Sequence, residues 1–173
     1  MTTTRVGWGI DVHPLIDEPP VILGGVVVDA TRGVDATSDG DVAAHAVCDA
    51  LLGAAAQGDL GRHFPSSDAR WAGVSSLDLL RRVVEIAGED GVVPTFVDVT
   101  IIAESVRVAP HREAIAAGLA AALVLDVANV SVKATTTDGL GFLGRGDGIA
   151  AMAVVTAEAA DDRLSSGPNI GLS

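Results

Sequence analysis

The chain has 173 residues, of which 49% are hydrophobic, 20% charged and only 3% aromatic. That is room for one domain with a core of Ala, Val, Leu and Ile, and not for a second catalytic module. The 11 Lys and Arg stand against 23 Asp and Glu, a formal net charge of −12, which argues against nucleic-acid partners because backbone phosphates call for basic surface.

In chain order, Val6, Trp8 and Ile10 alternate with glycines and predict a first strand, and residues 21–28 predict a second, broken at Gly24-Gly25. Ser38, three residues ahead of Asp41, gives a capping-box pattern for a helix over 41–56 with Val42, Leu51, Leu52 and Ala55 on its inner face. A second helix opens at Ser75 or Ser76, carries Leu77, Leu80 and Val84 at helical spacing, and ends at Gly88 or Gly91. Residues 96–103 predict a third strand, Pro110 to about Leu125 a third helix, 129–134 a fourth strand, and 149–157 a strand or buried segment. From Asp161 the composition turns polar, so a single domain over 1–160 with a loose tail over 161–173 is expected.

This order points to the α/β class, as an α+β sandwich: a four- to five-stranded sheet with three helices on one face. The other face needs cover, which subunit association supplies economically. The longest apolar run, 114–125, falls short of the ~20 residues that span a bilayer. The N-terminus shows no apolar signal region, so a cytoplasmic protein without a membrane partner is expected. Cys48 is the lone cysteine and reads as a small core residue.

Chemistry concentrates in three places. Asp11 and His13, two apart on a strand, project the same way, and His45 on the first helix offers a third ligand. Asp, His, His suits zinc with an open fourth position; a turn-capping Asp beside a satisfied histidine is the alternative. Asp41, His45 and Asp49 recur at i, i+4, i+8, either as a solvated acidic face or as a half-buried line in which a carboxylate orients the imidazole. Residues 135–148 leave the fourth strand as Thr135-Thr136-Thr137-Asp138, then glycines around Phe142 and Arg145. Hydroxyls, free N–H groups and one guanidinium make an oxyanion cradle, or simply a turn-rich connection.

Read together, Gly9 to His13, Ser38 to His45, Gly58 to Gly61 with Phe64-Pro65, Asp98 to Ala103 and Lys133 to Gly148 form five ordered blocks. In them the chain resembles the 2-C-methyl-D-erythritol 2,4-cyclodiphosphate synthase family, from about Arg5 to Ala157. The resemblance implies a homotrimer whose sheets face a central axis, with sites between neighbouring subunits. It implies conversion of 4-diphosphocytidyl-2-C-methyl-D-erythritol 2-phosphate to the cyclic diphosphate with release of CMP, so the small-molecule partner is a cytidine diphosphate substrate. Asp11, His13 and His45 would hold zinc, and Thr135, Thr136 and Asp138 would meet the diphosphate and a second divalent cation, magnesium or manganese. Asp59, Leu60 and Gly61 would hold the methylerythritol part. Ala103, Glu104, Ser105, Val106, Arg107, Val108 and Ala109 would form the cytidine loop.

By the same resemblance, Thr37 and Thr136 take the catalytic positions, while Ser38, Phe64, Pro65, Ser66, Ser67, Asp68, Thr137, Phe142 and Arg145 join the substrate contacts. The chain departs from the family pattern at several points. Thr37 stands where a histidine is usual, Ser66 where an aspartate is, Asp138 where a glutamate is common, Arg107 where a lysine is usual, and Ile10 where a phenylalanine is frequent. A metal-dependent phosphohydrolase and a non-catalytic trimeric binding protein are the readings from other classes.

Overall fold

The computed structural model describes residues 1–160, and the tail expected over 161–173 lies outside them. Seven strands and three long helices follow in order: β1 (Thr2–Ile16), β2 (Val21–Leu23), β3 (Val26–Asp29), β4 (Gly33–Val34), α1 (Val42–Ala55), then α2 (Leu60–His63), α3 (Ser76–Glu89), β5 (Val92–Ile102), α4 (Arg112–Leu123), β6 (Val130–Thr135), α5 (Gly141–Gly144) and β7 (Gly148–Ala160). The helices α2 and α5 are single turns.

The main sheet has five strands in the order β4-β1-β7-β5-β6. Its centre is antiparallel, with β1 paired to β7 from Thr2↔Ala160 to Pro14↔Gly148, while β5 and β6 run parallel. A parallel pair needs a crossover, and α4 supplies it. The three long helices lie on one face, α1 over β1 and β7, α4 over β6, and α3 against both α1 and α4. This is the expected α+β sandwich.

The glycines of β1 set how close α1 comes. A Cβ on Gly7 would stand 1.7 Å from the carbonyl oxygen of Ala50, and one on Gly9 would stand 2.2 Å from that of Ala46. Helix backbone therefore rests directly on strand backbone. On the opposite face of the same strand Val6 and Trp8 are 64% and 59% exposed, and Ile10, Val12, Met152, Val154 and Phe96 are exposed beside them. The chain thus has one apolar sheet face packed and one bare.

Several expectations are corrected in detail. Residues 21–28 are not a strand of the main sheet: β2 and β3 form a separate hairpin, because Gly24 and Gly25 both take positive φ, +55° and +75°, and reverse the chain. The cap of α1 is Asp41 itself, whose side chain accepts from the N–H of Ala44, rather than Ser38. Pro110 lies in a short 3₁₀ turn, Ala109–His111, and α4 begins only at Arg112. It ends at Leu123, with Val124 in the left-handed region. The strands at both ends run longer than their sequence signals, since in β7 the buried face is built from alanines. Cys48 is fully buried in α1, as expected, and burial pushes its thiol pKa up.

Candidate metal centre and ligand clefts

Alternation along β1 sends Asp11 and His13 to the same face as Gly9, toward α1, and the close seating of α1 brings His45 to meet them. The Nε2 of His13 and the Nδ1 of His45 each stand 3.0 Å from the same carboxylate oxygen, Oδ2 of Asp11. One donor atom from each residue lies within 4.8 Å of the other two.

Hydrogen bonding determines what these atoms present. The Nδ1 of His13 lies 3.0 Å from the carbonyl oxygen of Asp35, which accepts only, so this nitrogen carries a proton; Nε2 faces Asp11 and bonds it when protonated, or offers a lone pair when the ring is neutral. The other nitrogen of His45, Nε2, faces the Oγ of Ser76 at 2.9 Å and that of Ser38 at 3.1 Å. Burial opposes ionisation of Asp11, yet hydrogen bonds and charge from His13 and His45 outweigh it and hold its carboxyl well below the usual carboxylate range. The hydrogen bond to Asp11 raises the pKa of His13 against the opposing effect of burial. An ionised oxygen facing two imidazole nitrogens calls for a cation between them, a proton or a metal. Two imidazoles and one carboxylate are a donor set for zinc, and the outer nitrogens are already tied to oxygens. The residues present therefore fit a divalent metal.

The cluster lies in a cleft of about 310 Å³, along with Thr37, Ser38, Leu60, Gly61, Phe64 and Ser66 of the expected substrate residues. Ala36, Asp49, Trp71 and Leu79 complete its wall. Asp59 does not line it: its carboxylate caps α2, accepting from the N–H of Arg62 at 2.9 Å. Pro65, Ser67 and Asp68 follow Phe64 in the turn beside the cleft, where Asp68 is paired with Arg70. The idea that a carboxylate of the helix stripe orients His45 is corrected. Asp41 is fully buried and holds the N–H of Ala44 and of Gly25, while Asp49 accepts from the N–H of Leu60 at 2.7 Å.

A second cleft of about 260 Å³ is lined by Ala103, Glu104, Val106, Arg107, Val108 and Ala109 together with Thr135 and Thr136. It lies where β5 and β6 end, and β7 separates it in the sheet from β1 and the metal cluster. Ser105 receives a hydrogen bond from Arg32 at 2.7 Å, a contact that no sequence spacing announces. Thr136 and Asp138 hydrogen-bond each other, Asp138 in the left-handed region at φ +51°. The N–H of Thr137 points at Glu104. Phe142 lines a third hollow, of about 270 Å³, with Val12 and His13. Arg145 is paired with Asp147 at 2.9 Å, so its fork is engaged. One chain therefore brings the metal cluster and the 60–66 segment together but keeps the 103–109 loop and the threonines apart from them. The residues missed in the sequence are Ser76 and Trp71; neither belongs to a motif, and only the folding of the 64–76 segment brings Trp71 to the cleft and Ser76 against His45 behind it.

Comparison with known proteins agrees with this arrangement. The YgbB family profile matches residues 4–158. A 2-C-methyl-D-erythritol 2,4-cyclodiphosphate synthase of Symbiobacterium thermophilum is 49% identical over 149 residues, covering 86% of this chain and 95% of that protein. Among solved structures, the bifunctional IspDF of Campylobacter jejuni superposes with a TM-score of 0.89 at 36% identity; the match covers 93% of this chain but only 44% of that longer one. The IspF of Plasmodium falciparum, solved as a CDP complex, superposes with a TM-score of 0.78 at 27% identity over 91% of this chain and 97% of its own. With a family match over residues 4–158 and three potential metal ligands converging, the chain belongs to the YgbB family, among relatives named 2-C-methyl-D-erythritol 2,4-cyclodiphosphate synthase.

Proposed function

We infer that the chain is a 2-C-methyl-D-erythritol 2,4-cyclodiphosphate synthase of the non-mevalonate isoprenoid pathway, a phosphorus–oxygen lyase that works in the cytoplasm as a homotrimer. The observation that carries the reading is the convergence of Asp11, His13 and His45 on one point at the wall of an open cleft, in a chain of this family. The substrate is 4-diphosphocytidyl-2-C-methyl-D-erythritol 2-phosphate. An oxygen of its 2-phosphate bonds to the β-phosphorus, the bridge from that phosphorus to the α-phosphate breaks, and CMP departs with the bridging electrons.

The nucleophile is already ionised at neutral pH, so no side chain has to take a proton from it. The protein's task is to align it with the breaking bond and to offset charge on the phosphoryl oxygens. Held by Asp11, His13 and His45, zinc supplies Lewis-acid polarisation and a template for those oxygens. Thr135, Thr136 and Asp138 offer the oxygen donors that a harder ion, magnesium or manganese, prefers. Thr136 also supplies a hydroxyl donor to the reacting phosphate. Leu60 and Gly61, in the turn that the Asp59 carboxylate caps, position the methylerythritol part, and residues 103–109 receive cytidine.

Two features support the trimer. The bare apolar sheet face needs cover, and the two clefts, separated by β7 within one chain, become a single site only when neighbouring copies juxtapose them. Phosphorus NMR of the substrate with the protein, zinc and magnesium tests the activity. The expected result is loss of the diphosphate ester with matched growth of a cyclic diphosphate and CMP; release of inorganic phosphate instead would assign the cluster to hydrolysis.

A further inference from the structure

Behind His45 lies a second layer of polar groups. The Oγ of Ser76 is 2.9 Å from Nε2 of His45, and Ser76 is fully buried at the start of α3. On its far side this hydroxyl donates to a carboxylate oxygen of Asp39, and the other oxygen of Asp39 accepts from the backbone N–H of Ser76 at 3.1 Å. Asp39 thus grips Ser76 at two points, taking the part of an N-terminal cap for a helix whose preceding residue, Ser75, makes no cap bond.

A hydroxyl has one proton. Once Ser76 gives it to the Asp39 carboxylate, its oxygen faces His45 only as an acceptor. To bond that oxygen the neutral ring carries its proton on Nε2, which leaves Nδ1, 3.0 Å from Asp11, free to turn a lone pair to a shared cation. We propose that Ser76, backed by Asp39, is the positioning residue that fixes the tautomer of His45 and so selects Nδ1 as its metal-binding atom, an inference that rests on the zinc reading above. The Oγ of Ser38 lies 3.1 Å from the same nitrogen and also takes the N–H of Gly40 at 3.3 Å. The relay joins α3 to the metal cluster, so the helix start and the metal ligand are set by one carboxylate.

Zinc affinity, read by competition with a chromophoric chelator, tests this directly. Ser76→Ala removes the acceptor and is expected to weaken zinc binding about 10- to 100-fold, with Ser76→Thr restoring most of it because the hydroxyl returns. Equal affinity for wild type and Ser76→Ala would overturn the relay while leaving the metal site standing; a wild type that binds no zinc would overturn both. Nitrogen NMR of the zinc-loaded wild type needs no variant: the His45 ring proton is expected on Nε2, and a proton on Nδ1 would refute the assignment.

Discussion

At the scale of single residues, Asp41 shows what one buried carboxylate contributes. Burial pushes its pKa up to about 6, even though it accepts from the N–H groups of Ala44 and Gly25. Between pH 4 and 6 the folded chain therefore retains a proton that the unfolded chain has released, and stability falls as pH rises through that window. Relative to Asp41→Asn, which does not titrate, wild type is expected to lose about 2 kcal/mol between pH 4 and 7 and almost nothing above that. Urea unfolding of both proteins at pH 4 and pH 7 checks this, and a pH-independent difference would contradict it.

Thr37 gives a second test at this scale. It lines the metal cleft where the family pattern has a histidine, and a nucleophile that needs no deprotonation does not require a base there. Thr37→His should shift KM with little change in single-turnover rate. Thr136→Ala should slow the chemical step about 100-fold, the loss typical of one oxyanion donor. The residues that bear chemistry were legible because the motif carries them: Asp11-x-His13 and His45 meet as their pattern implies. Ser76 was not, since a serine at a helix start looks like a cap, and only the fold turns its oxygen toward an imidazole.

At the scale of elements, the seating of α1 on β1 is what assembles the metal cluster. The alternation Val6, Gly7, Trp8, Gly9, Ile10 marks a strand, but the sequence alone does not say that the glycines receive a helix backbone. Gly9→Ala would place a methyl 2.2 Å from the carbonyl oxygen of Ala46, so α1 has to lift. The expected cost is about 1–3 kcal/mol, with weakened zinc binding, because His45 rides on α1 while Asp11 and His13 stay on β1. Thermal unfolding and chelator competition on the same variant should move together; lost stability with unchanged zinc affinity would separate the helix seat from the cluster. The hairpin at 21–29 was misjudged for a related reason. Its apolar residues look the same in a central strand as in a separate ribbon, and the difference lies in two positive φ angles.

For the whole molecule, chain order alone could not show that the two clefts fall on different parts of one subunit. That follows from the strand order β4-β1-β7-β5-β6, which places β7 between the strand carrying Asp11 and His13 and the strands that end at the 103–109 loop and the threonines. If a neighbouring copy closes the gap, each site takes its metal cluster from one chain and its nucleotide cleft from the next. Two impaired variants should then repair each other. His45→Ala lacks the first half of a site and Thr136→Ala the second. Mixed and reassembled in equal amounts, they would pair an intact metal half with an intact nucleotide half in about one quarter of the sites of a random symmetric oligomer. Activity near a quarter of wild type, far above that of either variant alone, is the expected outcome. Trp8→Asp in both partners, which puts a charge on the bare apolar face, should abolish this recovery together with the oligomer seen by sedimentation. No recovery from a mixture that sedimentation shows to have exchanged subunits would mean that each chain completes its own site.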